Sequence, residues 1–225
     1  MIWLVTGTGT EVGKTVAAAA LCSVALERAG HSSDVGMIKP VQTGLASGEP
    51  GDAAEVRRLS TVASYELRRF PDPLSPEAAA RTSGQPEVSV AQLSEAIRAI
   101  CAAHDDVFVE GAGGLLVRLN AAGETFADLA EALQCPVILV VAAELGTLNH
   151  TALTVAVLRQ RGLDLAGIII GSWPRDPSLA CRENLIDLPR FGPLLGRLPE
   201  RAAQLPVDRF RADAPAWLRL PERQQ

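Results

Sequence analysis

The stretch that most constrains this chain is residues 2–15, IWLVTGTGTEVGKT. It opens on an apolar run rich in β-formers, Ile2 to Val5, and passes through small and glycine residues. It then delivers Gly13-Lys14-Thr15 into the alanine-rich segment 16–28. Strand, glycine loop, helix is the setting in which a phosphate-binding loop works. Glycines let backbone N–H groups converge on an anion, and the helix N-terminus adds partial positive charge. The lysine reaches the terminal phosphates and the Thr15 hydroxyl can ligate Mg2+. The strict spacing G-x-x-x-x-G-K-[ST] is missed, because its first glycine falls on Thr8, between Gly7 and Gly9. The context still predicts a nucleoside triphosphate site, against the alternative of a chance GKT behind a buried strand.

Two further segments repeat this logic. Residues 107–110 (VFVE) read as a strand that ends in an acid, followed at once by Gly111-Ala112-Gly113-Gly114. A carboxylate there can hold Mg2+ and water near a γ-phosphate; a strand-ending glutamate before a flexible turn is the alternative. Residues 34–39 (DVGMIK) read as a strand stopped by Pro40, with Gln42, Thr43 and Gly44 opening a loop. Lys39 therefore stands at a strand's carboxyl end, where open parallel sheets gather ligands. The alternative is a solvated lysine at a strand edge. Asp52 reads as the N-cap of the amphipathic segment 53–59. It could equally be a carboxylate near Mg2+, and pattern alone does not choose.

The rest of the chain alternates in the same way. Residues 136–142 (PVILVVA) are nearly all apolar, as in a strand buried on both faces. Leu145 to His150 lead into a helix reaching about Arg161, where Thr147 and Asn149 are both plausible caps and the helix start is a second potential anion site. Residues 90–103, 125–133 and 178–188 read as helices, and 166–170 and 193–198 as strands. Residues 70–80 are proline-punctuated, with Ser75 and Pro76 suited to an N-cap and first helical position. Gly30 suits the end of the first helix, and the tail from residue 202 yields little. One doubly wound, mostly parallel α/β domain spanning residues 1–225 is expected.

Composition narrows the function classes. The net charge of −5 argues against nucleic acid as a partner. Four cysteines without CxxC spacing signal neither a disulfide framework nor a zinc site. The longest apolar helical run, residues 16–26, is too short for a bilayer, and no basic n-region precedes the first strand. A cytoplasmic protein without a membrane partner is expected. His31, His104 and His150 are not clustered, so no metal site or catalytic triad is inferred from them.

With these residues in view, the chain resembles the dethiobiotin synthetase family over about residues 2–200. These are ATP-dependent carboxylases that close a ureido ring in biotin biosynthesis. The resemblance lies in T-G-T-x-T-E-V-G-K-T at 6–15, K-P-V-x-[ST]-G at 39–44, V-E-G-A-G-G at 109–114 and L-G-x-x-N-H at 145–150. The family's longer phosphate loop accounts for the off-register glycine. The resemblance implies that Thr15, Asp52 and Glu110 hold Mg2+, and that Lys14, Lys39 and Thr10 act on the transferring phosphoryl group. It implies nucleotide contacts from Glu11, Val12, Gly13, Lys14, Thr15, Val16, Asp52, Glu110, Gly111, Ala112, Gly113 and Pro199, and from Gly171 and Ser172 at the base. Substrates are then a nucleoside triphosphate, CO2 or bicarbonate, and 7,8-diaminononanoate. The diamine would be held by Lys39, Thr43 and the turn Leu145, Gly146, Thr147, Leu148 and Asn149, which reaches its carboxylate across a homodimer interface. Many relatives carry Asn-Asp where this chain has Gly171-Ser172 before Trp173-Pro174, which implies loose selection of the base. One rival is a partitioning ATPase, whose second loop lysine aligns with Gly9 here. Another is a cobyrinate-type amidoligase, which would add a glutaminase domain.

Overall fold

Runs of β-branched and apolar residues set the architecture. The computed structural model describes residues 1–28 and 34–221; the helix end expected at Gly30, His31 and residues 222–225 lie outside them. Seven strands pair in one sheet: β1 (Ile2–Gly7), β2 (Val35–Thr43), β3 (Ala63–Phe70), β4 (Asp106–Gly114), β5 (Val137–Val141), β6 (Leu165–Trp173) and β7 (Leu194–Pro199). Their order is β3-β2-β4-β1-β5-β6-β7, with every ladder parallel. Parallel strands need crossovers, and the crossovers cover both faces. The strand β5 (VILVV) is accordingly buried at every position.

The crossovers are helices α1 (Lys14–Arg28), α2 (Asp52–Ser60), α3 (Pro76–Ser83), α4 (Val90–Cys101), α5 (Phe126–Leu133), α6 (Thr147–Gln160) and α7 (Leu179–Asp187), with α8 (Val207–Trp217) closing the chain. On one face α1, α2 and α8 pack against Trp3, Val5, Ile138 and Val140. On the other, α3 to α7 cover Leu4, Val109, Leu139 and Val141. The four alanines Ala17 to Ala20 are fully buried, and their small side chains keep α1 close to the sheet. From β1 the chain moves outward to β2 and β3, returns to β4, then passes β1 to reach β5. The segments leaving β1 and β4 therefore go to opposite faces, and such a switch point opens a crevice at the carboxyl ends of the strands. The expected alternation and parallel sheet are borne out.

Three elements differ from expectation. Strand β2 continues through Pro40 to Thr43. Its ladder with β4 has ended at Ile38↔Val109, and Pro40 has no partner in the β3 register, so a missing N–H interrupts little there. Strand β3, ASYELRRF, was not foreseen because it is a half-polar edge strand with mixed burial. Helix α8 was hidden by its polar composition and by Pro215 within it. Among the described residues, no helix is long and apolar enough to cross a membrane.

Candidate active site

The phosphate loop is shaped from beneath by the sheet. Between β1 and α1 the backbone takes positive φ at Glu11 (59°) and Gly13 (93°). A Cβ on Gly13 would lie 2.5 Å from the Gly171 carbonyl oxygen, and one on Gly171 would lie 1.9 Å from the Val12 oxygen. The loop thus rests directly on the end of β6, and both glycines are required by backbone-to-backbone contact. Val12 and Val16 pack their side chains onto the core, while Thr10 and Glu11 face outward. Lys14 Nζ donates to the Gly9 carbonyl at 2.7 Å. Burial, and then the charge of Lys39, pull the Lys14 ammonium down to about 8, against the opposing pull of Glu110 and Asp52.

Lys39 is the centre of the charged network. The pair Ile38↔Val109 in the β2–β4 ladder puts Lys39 and Glu110 one step further on, side by side. Lys39 Nζ lies 2.6 Å from Asp52 Oδ2 and 2.9 Å from Glu110 Oε1, and it also donates to the Gly111 carbonyl at 3.2 Å. Its three protons meet three acceptors. With Lys39 only 3% exposed, the solvated-edge reading is excluded. Burial works against its charge, yet Glu110 and then Asp52 overcome this and hold the ammonium above its ordinary value. Burial likewise pushes the Glu110 carboxyl up, with Lys39 pulling it back. The Thr15 hydroxyl donates to the same Glu110 Oε1 at 2.9 Å.

Asp52 is not the N-cap of its helix. Gly51 is, and Asp52 is the first helical residue. Its N–H donates to Gln42 Oε1 at 2.9 Å, which leaves the carboxylate free to meet Lys39. Gln42, buried at the end of β2, was not singled out from sequence. The unforeseen strand β3 contributes as well. Arg69 pairs with Glu66 and donates to the carbonyls of Ala46 and Glu49, pinning the loop that leads to Asp52.

This donor set fits Mg2+. Two carboxylates meet at the Lys39 ammonium, the Thr15 hydroxyl joins one of them at Glu110 Oε1, and among the described residues the buried Glu110 Oε2 has no hydrogen-bond partner. Among the described residues no three His, Cys, Asp or Glu side chains gather into a metal cluster. Two carboxylates with a hydroxyl suit a cation that takes its remaining ligands from phosphates and water.

Beside the network opens a cavity of about 1290 Å3, lined by Thr10, Glu11, Thr43, Asp52, Ala112 and Gly113 on one side. Leu74, Leu116 and Leu153 face it from the rim, all three substantially exposed. The turn Leu145–Asn149 does not line this cavity; its α6 wall comes from Leu153, Thr154 and Val157. Gly146, at φ 97°, is the N-cap of α6, so neither Thr147 nor Asn149 caps the helix. Ser172 is exposed, Pro199 pairs with Trp173, and the Arg197 guanidinium lies over the Trp173 ring at 4.5 Å. Ser172 and Trp173 follow Gly171 on β6, with Arg197 and Pro199 beside them on β7. A second hollow, about 910 Å3, lies at the opposite ends of the strands beside Met1, Trp3 and Asp164, away from this network.

A family model described as an AAA domain matches residues 3–205. The ATP-dependent dethiobiotin synthetase BioD of Streptomyces coelicolor is 51% identical over 98% of this chain and 92% of its own length. That of Rhodococcus jostii is 53% identical over 96% and 94%. The chain belongs to the dethiobiotin synthetase family. Among solved structures, the MinD cell division protein of Aquifex aeolicus superposes with a TM-score of 0.54 at 10% identity, over 96% of this chain and 95% of that one. The Pyrococcus furiosus cell division ATPase MinD gives 0.52 at 19%, over 95% and 87%. Those likenesses speak for the fold alone. Three of the four segments that carry the dethiobiotin synthetase resemblance, 6–15, 39–44 and 109–114, meet around Lys39, while 145–150 stands apart at the next strand-to-helix turn.

Proposed function

We propose that the chain closes 7,8-diaminononanoate with CO2 to dethiobiotin, consuming ATP, and that residues 1–225 act as one catalytic domain, in the cytoplasm, as a homodimer. The observation that carries the reading is the Lys39 ammonium, buried between Asp52 and Glu110 and sharing Glu110 Oε1 with the Thr15 hydroxyl. One amine of the diamine takes up CO2 as a carbamate. The carbamate oxygen attacks the γ-phosphorus and displaces ADP, and the second amine then closes on the carbonyl of the mixed anhydride, losing a proton and expelling phosphate. The chain's work is to position reactants and neutralise charge.

Phosphate oxygens compete with the Gly9 carbonyl for Lys14, so the lysine swings from loop to ligand. Lys39 meets the charge that grows between carbamate and γ-phosphate. Thr10 and the backbone N–H groups of residues 11–16 complete the phosphate cradle, and Gly111, Ala112 and Gly113 border it. Mg2+, held by Thr15, Asp52 and Glu110, would supply charge neutralisation on the phosphates. Thr43 faces the diamine, and the turn Leu145–Asn149 offers N–H groups at a helix start to the carboxylate of a neighbouring subunit's substrate. Incubating the protein with 7,8-diaminononanoate, bicarbonate, Mg2+ and ATP should yield dethiobiotin by mass analysis, with one phosphate released per ring closed. ATP hydrolysis without a cyclic urea refutes the reading.

A further inference from the structure

The turn between β5 and α6 is held from behind by one face of α7. Ser178, the N-cap of α7, and Cys181 and Asn184 recur every three residues and so share a face. All three reach residues 143–144. Asn184, 5% exposed, donates through Nδ2 to the Ala143 carbonyl at 2.8 Å and to the Glu144 carbonyl at 3.0 Å. Cys181 Sγ donates to Glu144 Oε1 at 3.2 Å, and Ser178 Oγ to Glu144 Oε2 at 3.5 Å. The Glu144 carbonyl also accepts the Thr147 N–H at 3.2 Å. On its outer side the turn has no comparable support. Leu145 is 87% exposed, and a Cβ on Gly146 would meet nothing within 4 Å. A buried amide that commits both protons to consecutive carbonyls admits one turn geometry, because either misfit leaves a polar group unpaired.

We infer that Asn184 is a positioning residue for the carboxylate of the diamino acid. It fixes the turn before Gly146, and thereby the direction in which the first turn of α6 presents its N–H groups. Helix geometry leaves those groups without intrahelical partners. Glu144 takes the N–H of Thr147, so those of Leu148 and Asn149 remain for an anion. The inference rests on the reading above that this turn receives the substrate carboxylate. It adds a residue some forty positions away that touches neither substrate nor nucleotide.

The test compares 7,8-diaminononanoate with 2,3-diaminononane, in which a methyl group replaces the carboxylate, at saturating ATP, Mg2+ and bicarbonate. Asn184→Ala should raise KM for the acid about tenfold, the scale of one lost directing hydrogen bond. Its kcat should stay within about twofold, with KM for ATP and kcat/KM for 2,3-diaminononane as in the unsubstituted protein. Asn184→Asp keeps the shape but sets a carboxylate against two carbonyls, and should lose at least as much. Equal losses on both diamines, or a loss confined to kcat or to KM for ATP, overturn the positioning role while leaving the carboxylate reading intact. If the unsubstituted protein handles the two diamines alike, the carboxylate reading falls and this inference falls with it. Should the Asn184 variants fail to fold, Cys181→Ser, which keeps the buried volume and changes only the group that meets Glu144 Oε1, and Ser178→Ala, which removes the bond to Glu144 Oε2, should together raise KM for the acid about twofold with KM for ATP unchanged; no change in the double variant overturns the inference.

Discussion

Two strand-to-helix turns lie at the same end of this sheet and are built in opposite ways. The turn from β1 to α1 is pressed onto its surroundings. A Cβ on Gly7 would meet Val12 Cγ2 at 2.7 Å, and Gly13 and Gly171 touch backbone to backbone. Its lysine and threonine belong to a buried charge network within the same chain. The turn from β5 to α6 is held from behind by α7 and is open in front, with Leu145 and Asn149 exposed. Both offer a helix N-terminus, yet only the first brings its own cation to the anion. The first turn is enclosed by its own chain, whereas the second is left open on one side. In the homodimer proposed above, a second subunit would cover that side.

The sharpest way to test the first half of the comparison is Lys39→Ala. It leaves Glu110, 1% exposed, facing Asp52 without the ammonium between them. Breaking a buried pair in this way costs about 3–5 kcal/mol of stability. Loss of a group that meets transition-state charge lowers kcat roughly 10²–10³-fold. Lys14→Ala should lower kcat comparably and destabilise far less, because among the described residues the Lys14 side chain donates to the Gly9 carbonyl alone and burial already disfavours its charge. Denaturant unfolding and turnover on both variants check this. Equal stabilities would mean that the Lys39 network does not hold the fold.

The same contrast explains what could be read from the sequence. Lys14, Thr15, Lys39 and Glu110 were legible because each stands at the end of a run whose apolar pattern announces a strand, or beside glycines that announce a loop. Gly171 was visible as a departure from its relatives, but its cause, the Val12 oxygen 1.9 Å from where a Cβ would go, is a contact across 159 positions that leaves no local signal. Asp52 could not be told from a cap because the acceptor that places it, Gln42, belongs to the preceding strand. Strand β3 lacks alternation because its middle residues, Tyr65 to Arg69, are only half-buried on either face. The Ser178, Cys181 and Asn184 face pairs with a turn some forty residues earlier, and helical spacing alone reads as an ordinary capped helix.

The second half of the comparison is tested by complementation. Lys14→Ala and Asn149→Pro, which removes one of the free N–H groups at the start of α6, should each be inactive alone. Mixed in equal amounts with subunit exchange, half of the dimers are hybrids, and each hybrid carries one intact site. Recovery should therefore approach about a quarter of full activity. No recovery, with exchange confirmed by differently tagged subunits, would show that the open turn serves its own chain.

A smaller effect separates the two lysines by pH. Lys14, pulled down to about 8, begins to lose its proton there, while Lys39 is shifted upward and keeps its own. The unfolded chain holds the Lys14 proton to about pH 10.4. Between about 8 and 10.4 the folded state thus binds fewer protons than the unfolded one, and this group's contribution to stability rises with pH. Triphosphate binding runs the other way. It favours the ammonium, so ATP affinity should fall above pH 8, by up to about tenfold per unit, with proton uptake on binding. Calorimetry in buffers of different ionisation enthalpy measures the uptake. Lys14→Arg should flatten the affinity profile, and a flat profile in the unsubstituted protein would mean that Lys14 keeps its proton.

The smallest effect concerns the base, where the packed turn meets an exposed neighbour. Gly171 supports the phosphate loop through its backbone and has no side chain to read adenine. Beyond it stand Ser172, exposed, and Trp173, whose ring is covered by Arg197. Base contacts at this point must come from main-chain groups or from the Ser172 hydroxyl. A side-chain amide paired with adenine contributes roughly 1–3 kcal/mol of discrimination where it occurs in nucleic-acid recognition. If residues 11–16 grip the phosphates whatever the base, as proposed above, CTP, GTP and UTP should each support turnover within about tenfold of ATP, a gap of roughly 1.4 kcal/mol. Measuring kcat/KM for the four triphosphates under one set of conditions decides it, and a hundredfold preference for ATP would contradict it. Gly171→Asn sharpens the point. Were residue 171 simply a base-reading position, the asparagine would restore adenine preference. With the Val12 oxygen 1.9 Å from its Cβ, the substitution instead displaces the loop, and turnover should fall with all four nucleotides together.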